Sequence, residues 1–185
     1  VPLVAFINKM DKLGANFAYA VDTIRERLNA RPVILQWPIG RESSFQGVVE
    51  LMEMEAVAWA DELGAKPEFV PIPDELRDEV ELRREAMVEQ IVETDDELTV
   101  RYLEGEEISV TDLKRALRVA TLNGVLHPVL CGSALRNKGI QPVLDAVVDF
   151  LPSPLEVPPM QGQNPYTEKT ESRQAGAEAP RWSRS

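Results

Sequence analysis

VPLVAFINKMD, residues 1–11, is the stretch on which the reading of this 185-residue chain turns. Its first seven residues form a continuous apolar run, the mark of a strand buried on both faces, as in a parallel sheet. Residues 8–15 follow as a polar loop containing Gly14. Asn16 can then cap a helix in which Phe17, Val21, Ile24 and Leu28 recur at helical spacing. Strand, loop and helix in this order make half of an α/β unit. The run has no initiator Met before it, which reads as a fragment cut at or within a strand.

The same texture returns near the other end. Residues 128–131 (PVLC) read as a short buried strand, and residues 132–139 as a Gly-containing loop. A helix should follow with Ile140, Leu144, Val147 and Leu151 on its inward stripe, Pro142 being tolerated in its first turn. Between these two pieces the pattern changes. Residues 32–37 (PVILQW) read as one strand, and residues 47–57 as one half-exposed strand. Three prolines punctuate an extended connection. A long helix spans residues 74–94 with Leu76, Val80, Met87 and Ile91 on one face, and a second helical segment runs over residues 95–103 to a stop near Gly105. Ser109 caps a further helix with Asp112 in a variant capping box. In that helix Leu113, Ala116, Leu117 and Ala120 face inward, and Gly124 ends it.

The expected architecture is therefore α/β, a parallel sheet with flanking helices, in two portions at residues 1–30 and 126–152. An inserted α+β subdomain at residues 31–125 interrupts it. Residues 153–185 read as a proline-rich linker followed by a polar segment, after residue 161, that is disordered or the truncated start of another domain.

Composition narrows the function. A hydrophobic fraction of 44% supports a real core, and a net charge of −11 argues against a nucleic-acid clamp, which needs a basic stripe. Residues 74–107 hold fourteen acidic and four basic side chains, a net −10 that nearly accounts for the whole chain. Such a helix face is either simply solvated or suited to a basic protein partner. One cysteine, Cys131, excludes an internal disulfide and fits a reducing, cytoplasmic setting. No apolar run reaches the roughly 18 residues of a membrane span. His127, the only histidine, has no nucleophile pattern beside it, and no Cys/His cluster suggests zinc.

The candidate chemistry lies in two loops, each directly after a buried strand, where open α/β sheets bind ligands. Asn8, Lys9 and Asp11 stand in the first, Ser133 and Ala134 in the second. A carboxylate at Asp11 can accept from both N1–H and N2–H2 of guanine. Facing adenine it would be left unpaired, a costly mismatch. Asn8 can reach N7 and pin neighbouring loops. The Lys9 stem can lie over the purine face, and a backbone N–H near Ala134 can donate to O6. The bland alternative is an ordinary turn with an Asx cap.

FINKMDK (residues 6–12) with GANF (residues 14–17), and PVLCGSALRNKGIQ (residues 128–141), resemble the two base-recognition motifs of the elongation factor G family of translational GTPases. LDAVVDFLPSP (residues 144–154) extends the resemblance, which covers roughly residues 1–160, including the insert. The resemblance implies the C-terminal part of a P-loop-type GTPase domain. It also implies GTP or GDP as ligand, with Asn8, Lys9, Asp11, Ser133 and Ala134 at the base. It implies the ribosome as partner, in particular the large-subunit stalk protein through the acidic insert, a monomeric state, and coupling of GTP hydrolysis to movement of tRNA and mRNA. A phosphate loop GxxxxGK[ST] is not found in the 185 residues, so no catalytic residue is assigned. In the family that loop and the Mg²⁺ it helps to hold lie upstream, and this portion alone is expected to be inactive. Residues 173–185 depart from the family's entry into a β-barrel. Other translational GTPases, of release-factor or ribosome-protection type, and a non-catalytic acidic interaction module remain the alternatives.

Overall fold

The structure, a computed structural model, describes residues 1–60, 64, 66–163 and 170–173. It divides into two units, Val1–Leu151 and Pro152–Ser185.

The first unit contains the parallel sheet. Strands β1 (Ala5–Ile7), β2 (Pro32–Ile34) and β7 (His127–Cys131) lie in the order β1-β7-β2, all parallel. Central β7 buries Val129, Leu130 and Cys131, as its unbroken apolar run requires. The opening run is only partly strand. Val1 and Leu3 are exposed, because β1 pairs with β7 over residues 5–7 alone. Helix α1 (Phe17–Leu28) starts where expected: Asn16 accepts from the Tyr19 N–H, and Phe17 and Val21 are buried. Leu28, expected inside, is exposed on the last turn.

Residues 32–37 are not one strand. The chain changes sheets at Leu35, whose N–H donates to Val129 and whose carbonyl accepts from Leu51. On the N-terminal side of Leu35 lies β2, in the parallel sheet. On its C-terminal side β3 (Gln36–Ile39) joins a separate antiparallel sheet with β4 (Gly47–Glu50), β5 (Glu55–Trp59) and β6 (Pro67–Val70), ordered β3-β4-β5-β6. The parallel sheet thus keeps a strand beyond residue 31, where the insert was expected to begin. The expected single strand at residues 47–57 is the β4–β5 hairpin. Its sequence does not alternate cleanly: Val48 and Val49 are both buried, and so are Leu51 and Met52 in the turn. Gln36 stitches the two sheets, accepting from the Cys131 N–H at 3.0 Å and donating to Glu50 at 2.6 Å.

Three helices cover this seam. A 3₁₀ turn at Asp74–Leu76 leads into α2 (Arg77–Val92), which buries Val80, Met87 and Ile91. Asp95 caps α3 (Asp96–Leu103), and Ser109 caps α4 (Val110–Leu122) by accepting from the Asp112 N–H while donating to its carboxylate. Leu113, Ala116, Leu117 and Ala120 are buried as the spacing predicts. Trp37 ties the layers together: its ring meets Phe17 edge-on at 5.5 Å and lies under the Arg83 guanidinium at 4.5 Å.

Helix α5 (Ile140–Phe150) turns the other way from expectation. It buries Ala146 and Phe150, whereas Leu144 is 61% and Val147 42% exposed. The helix is apolar around most of its circumference, so spacing alone does not select the inward face.

In the second unit, residues past 161 were expected to be either disordered or the truncated start of another domain. There β8 (Met160–Gln163) and β9 (Thr170–Arg173) form an antiparallel hairpin, with Met160 opposite Arg173. Backbone pairing supplies this hairpin; its described β8 side chains are all exposed, which is why hydrophobic patterning gives no sign of it. Residues 174–185, which carry most of the divergent tail, lie outside the described residues.

Candidate nucleotide-base site

Because β1 and β7 are parallel neighbours, the loops that follow them leave the sheet side by side. Residues 8 and 133 lie near opposite ends of the first unit's sequence, yet the two loops are bonded to each other directly. Asn8 Oδ1 accepts from the Ala134 N–H at 2.9 Å and from the Lys9 N–H at 2.7 Å. Ser133 Oγ donates to Asp11 Oδ1 at 2.7 Å. The Met10 N–H donates to the Gly132 carbonyl at 3.0 Å. All five predicted residues therefore stand together. Asn8, Lys9 and Ala134 are exposed and Ser133 is buried.

The local backbone is specialised. Lys9 sits at φ +66, a region non-glycine residues avoid at a cost on the order of 1–3 kcal/mol. The Lys12 N–H to the Lys9 carbonyl closes that turn at 3.0 Å. At Gly132 a Cβ would lie 2.3 Å from the Lys138 carbonyl oxygen and 3.0 Å from the Phe6 ring, so the second loop can fold back on itself beside β1 only on a glycine.

The Ser133 hydroxyl holds the Asp11 carboxyl below the usual carboxylate range. Desolvation opposes this, and the Lys12 ammonium, 3.4 Å from Oδ2, assists it. Asp11 is thus an acceptor-only group at neutral pH, as reading two N–H donors requires. One detail differs from the simplest expectation: the Ala134 N–H, a candidate donor for guanine O6, is given to Asn8 in this structure.

Sequence reasoning missed Glu42. It stands in the 3₁₀ turn Glu42–Ser44 between β3 and β4, yet its N–H donates to the Met10 carbonyl at 2.9 Å and its Oε1 accepts from the Gly14 N–H at 2.8 Å. No local signal ties residue 42 to residues 10 and 14. Asp11 and Glu42 also share a cleft of about 360 Å³ with Lys12, Arg136 and Lys138.

Cys131 is buried in β7, where desolvation drives its thiol far up from the ordinary value, so it belongs to the core. Among the described residues no cluster of His, Cys, Asp or Glu could hold a metal ion, and no helix is long and apolar enough to cross a membrane.

The model of the elongation factor Tu GTP-binding domain matches residues 1–153. The chain belongs to this family. Elongation factor G of Thermotoga maritima is 55% identical over 162 residues, covering 88% of this chain and 23% of that protein. The elongation factors G of Thermotoga petrophila and Thermotoga neapolitana are 54% and 53% identical over the same share. A solved protein from Thermus thermophilus superposes with a TM-score of 0.75 at 26% identity, over 93% of this chain and 26% of that one. The fold is accordingly that of a GTP-binding domain, a parallel sheet with flanking helices carrying an antiparallel-sheet subdomain. The chain spans about a quarter of the length of the curated relatives it matches, 23% in each case.

Proposed function

We propose that this chain is the guanine-recognition portion of a translational GTPase of the elongation factor G type. In this reading the whole protein couples GTP hydrolysis on the ribosome to translocation of tRNA and mRNA, working in the cytoplasm as a monomer. The observation that carries the reading is the direct bonding of Asn8 to Ala134 and of Asp11 to Ser133 across two parallel strand ends, in a chain of the elongation factor Tu GTP-binding family. Asp11 accepts from N1–H and N2–H2 of guanine, and Asn8 orders both loops and reaches N7. Lys9 covers the purine face, and the Ala134 N–H turns from Asn8 Oδ1 to O6 when the base binds. Phosphate and Mg²⁺ binding belong to a part of the protein outside these 185 residues, so the chain by itself binds GTP weakly and does not hydrolyse it. The parallel-sheet portions and the residues between them divide the labour between base recognition and partner contact.

The test is a change of base preference. Asp11→Asn replaces one acceptor with a donor, which favours xanthine, whose position 2 carries a carbonyl. In the full-length GTPase carrying this segment, preference for GTP over XTP should fall by roughly a hundredfold or more, the scale on which stranded buried polar groups discriminate. An unchanged preference for GTP defeats the assignment.

A second element of the reading concerns the partner. Glu81, Glu85 and Glu89 are exposed on α2, at i, i+4 and i+8. The basic residues of that helix are engaged elsewhere: Arg77 with Asp74, Arg83 with Glu79 and Trp37, Arg84 with backbone carbonyls of the β4–β5 turn. The ridge is left without a neutralising cation on its own helix, which favours docking of a basic face of the ribosomal stalk protein.

A further inference from the structure

We propose that Glu42 is a positioning residue for base recognition, clamping the loop that carries Asn8, Lys9 and Asp11 to the antiparallel sheet. The proposal rests on the base-reading role given to that loop above. Its geometry is a bracket. The Glu42 N–H donates to the Met10 carbonyl and the Glu42 carboxylate accepts from the Gly14 N–H, so one residue holds the loop on both sides of Asp11. On the N-terminal side Asp11 has a second anchor, the Met10 N–H to the Gly132 carbonyl. On the C-terminal side the other bonds are internal to the loop, Lys12 to Lys9 and Ala15 to Lys12, and fix nothing against the rest of the molecule. Among the described residues, the Glu42 carboxylate is the long-range hydrogen-bonded anchor there.

The turn that bears Glu42 does not need this carboxylate for itself. Ser44 Oγ accepts from the Arg41 N–H and donates to the Arg41 carbonyl, closing the turn without it. Gly40, at φ +78, lets the chain double back so tightly that a Cβ would meet the Ser44 carbonyl oxygen at 2.0 Å. The turn also spans a hydrogen-bonded strand pair, with Ile39 opposite Gly47. Glu42 itself is at φ +53, where a glycine or asparagine would be more comfortable. A turn selected only for its own stability would not place a glutamate there. A side chain that reaches back to residue 14 from a rigid hairpin has the properties of a positioning group, held by its own scaffold and directed at another element. A carboxylate accepting from a backbone N–H is among the stronger hydrogen bonds available for this.

The experiment has two arms. In the full-length GTPase carrying this segment, amide exchange at Gly14 is measured for Glu42→Ala and Glu42→Gln. In the same protein, release of GDP is compared with that of inosine diphosphate, which lacks the 2-amino group read by Asp11. Glu42→Ala should speed Gly14 exchange and GDP release by roughly tenfold each, the scale of one charge-assisted bond. It should also shrink the preference for GDP over inosine diphosphate several-fold. Glu42→Gln keeps an acceptor and should restore both. Asp11→Asn is run alongside and should shift preference toward xanthosine diphosphate whatever Glu42 does. If it does so while Glu42→Ala leaves Gly14 exchange and the GDP preference unchanged, the clamp is refuted and the base site stands. If Glu42→Ala weakens both nucleotides equally and raises exchange throughout the chain, Glu42 is a fold residue and the positioning role is refuted. If Asp11→Asn shifts nothing, the base-site reading falls and the positioning role with it.

Discussion

In the parallel sheet, polar side chains gather where the strands end: Asn8, Asp11 and Ser133 all lie past the last paired residue of β1 or β7. The antiparallel sheet instead carries a carboxyl, Glu50, on a strand and into its seam with the parallel sheet. The two acids consequently move in opposite directions. A hydroxyl donor and a nearby ammonium keep Asp11 ionised. Desolvation dominates at Glu50, raising it to about 7 against the Gln36 amide, with Glu53 and Asp145 adding repulsion and Lys114 opposing it. Placement at a strand end leaves a carboxylate available to a ligand. Placement at a seam turns one into a pH-dependent part of the core.

The largest stability effects should come from the apolar side of that seam. Phe150→Ala on α5 should cost about 3–5 kcal/mol, because the ring is 3% exposed and leaves a cavity behind. Leu144→Ala on the same helix should stay within about 0.5 kcal/mol, since its side chain is in solvent. Urea denaturation of both variants checks this. Equal costs would mean that α5 buries the Leu144 face, as its spacing first suggests.

That helix also shows how far the sequence can be read. The two candidate loops are legible because each holds its residues close together, fixed in spacing and placed after an apolar run. The caps at Asn16, Asp95 and Ser109 are legible because a cap is a local bond. The inward face of α5, the change of sheet at Leu35, and the bonds of Gln36 and Glu42 are set by partners distant in sequence. Periodicity carries no information about those partners. The β8–β9 hairpin escapes for another reason, since its ladder is made of backbone groups that every sequence has.

The next effect in size is Glu50. Its carboxyl is raised from 4.5 to about 7 on folding. The folded state therefore binds the proton more tightly, and the stabilisation is complete below about pH 4.5 and lost as pH rises through about 7. The full shift corresponds to about 3 kcal/mol, and partial exposure of the seam reduces that to about 2. Glu50→Gln keeps an acceptor for Gln36 and removes the titration. It should match the unaltered chain near pH 4.5 and exceed its stability by about 2 kcal/mol at about pH 8. Parallel stability curves would show that the seam is wet and the contrast with Asp11 false.

Smaller again is Ser133→Ala, which removes the largest cause of the lowered Asp11 pKa. Asp11 should then titrate closer to the ordinary carboxylate range, visible in its side-chain carbon shifts. The stability that its ionised form contributes is present above the unfolded pKa and fades as pH falls through the folded one. That fade begins at the unfolded pKa in both proteins, and in the variant it should be smaller and complete at higher pH. The loss at neutral pH should be about 1 kcal/mol, the typical worth of one hydrogen bond. No movement of the Asp11 titration would place the cause in the Asp11 backbone hydrogen bond and the Lys12 ammonium instead.

The smallest stability effect and the most specific functional one belong to the ridge on α2. Glu81, Glu85 and Glu89 are exposed, and none of them forms an ion pair among the described residues. Two of them lie close enough to Tyr102 on α3 to push its hydroxyl pKa up, after desolvation. Like charges at i, i+4 cost a few tenths of a kcal/mol each in a helix, so the ridge is a small liability to the free protein. Reversing all three to Lys keeps like charges at the same spacing, and stability should change by no more than about 0.5 kcal/mol. If the ridge meets a basic partner, the triple reversal should slow ribosome-stimulated GTP hydrolysis by the full-length protein and leave nucleotide affinity intact. The slowing should reside in association and shrink as salt rises, because exposed charges are screened beyond about 8–10 Å. The ridge and the base site would then be separable, one altering encounter and the other base choice. Stimulated turnover unchanged at low salt would reduce the ridge to a solvated face, and the Asp11 site would be the sole functional surface assigned to the chain.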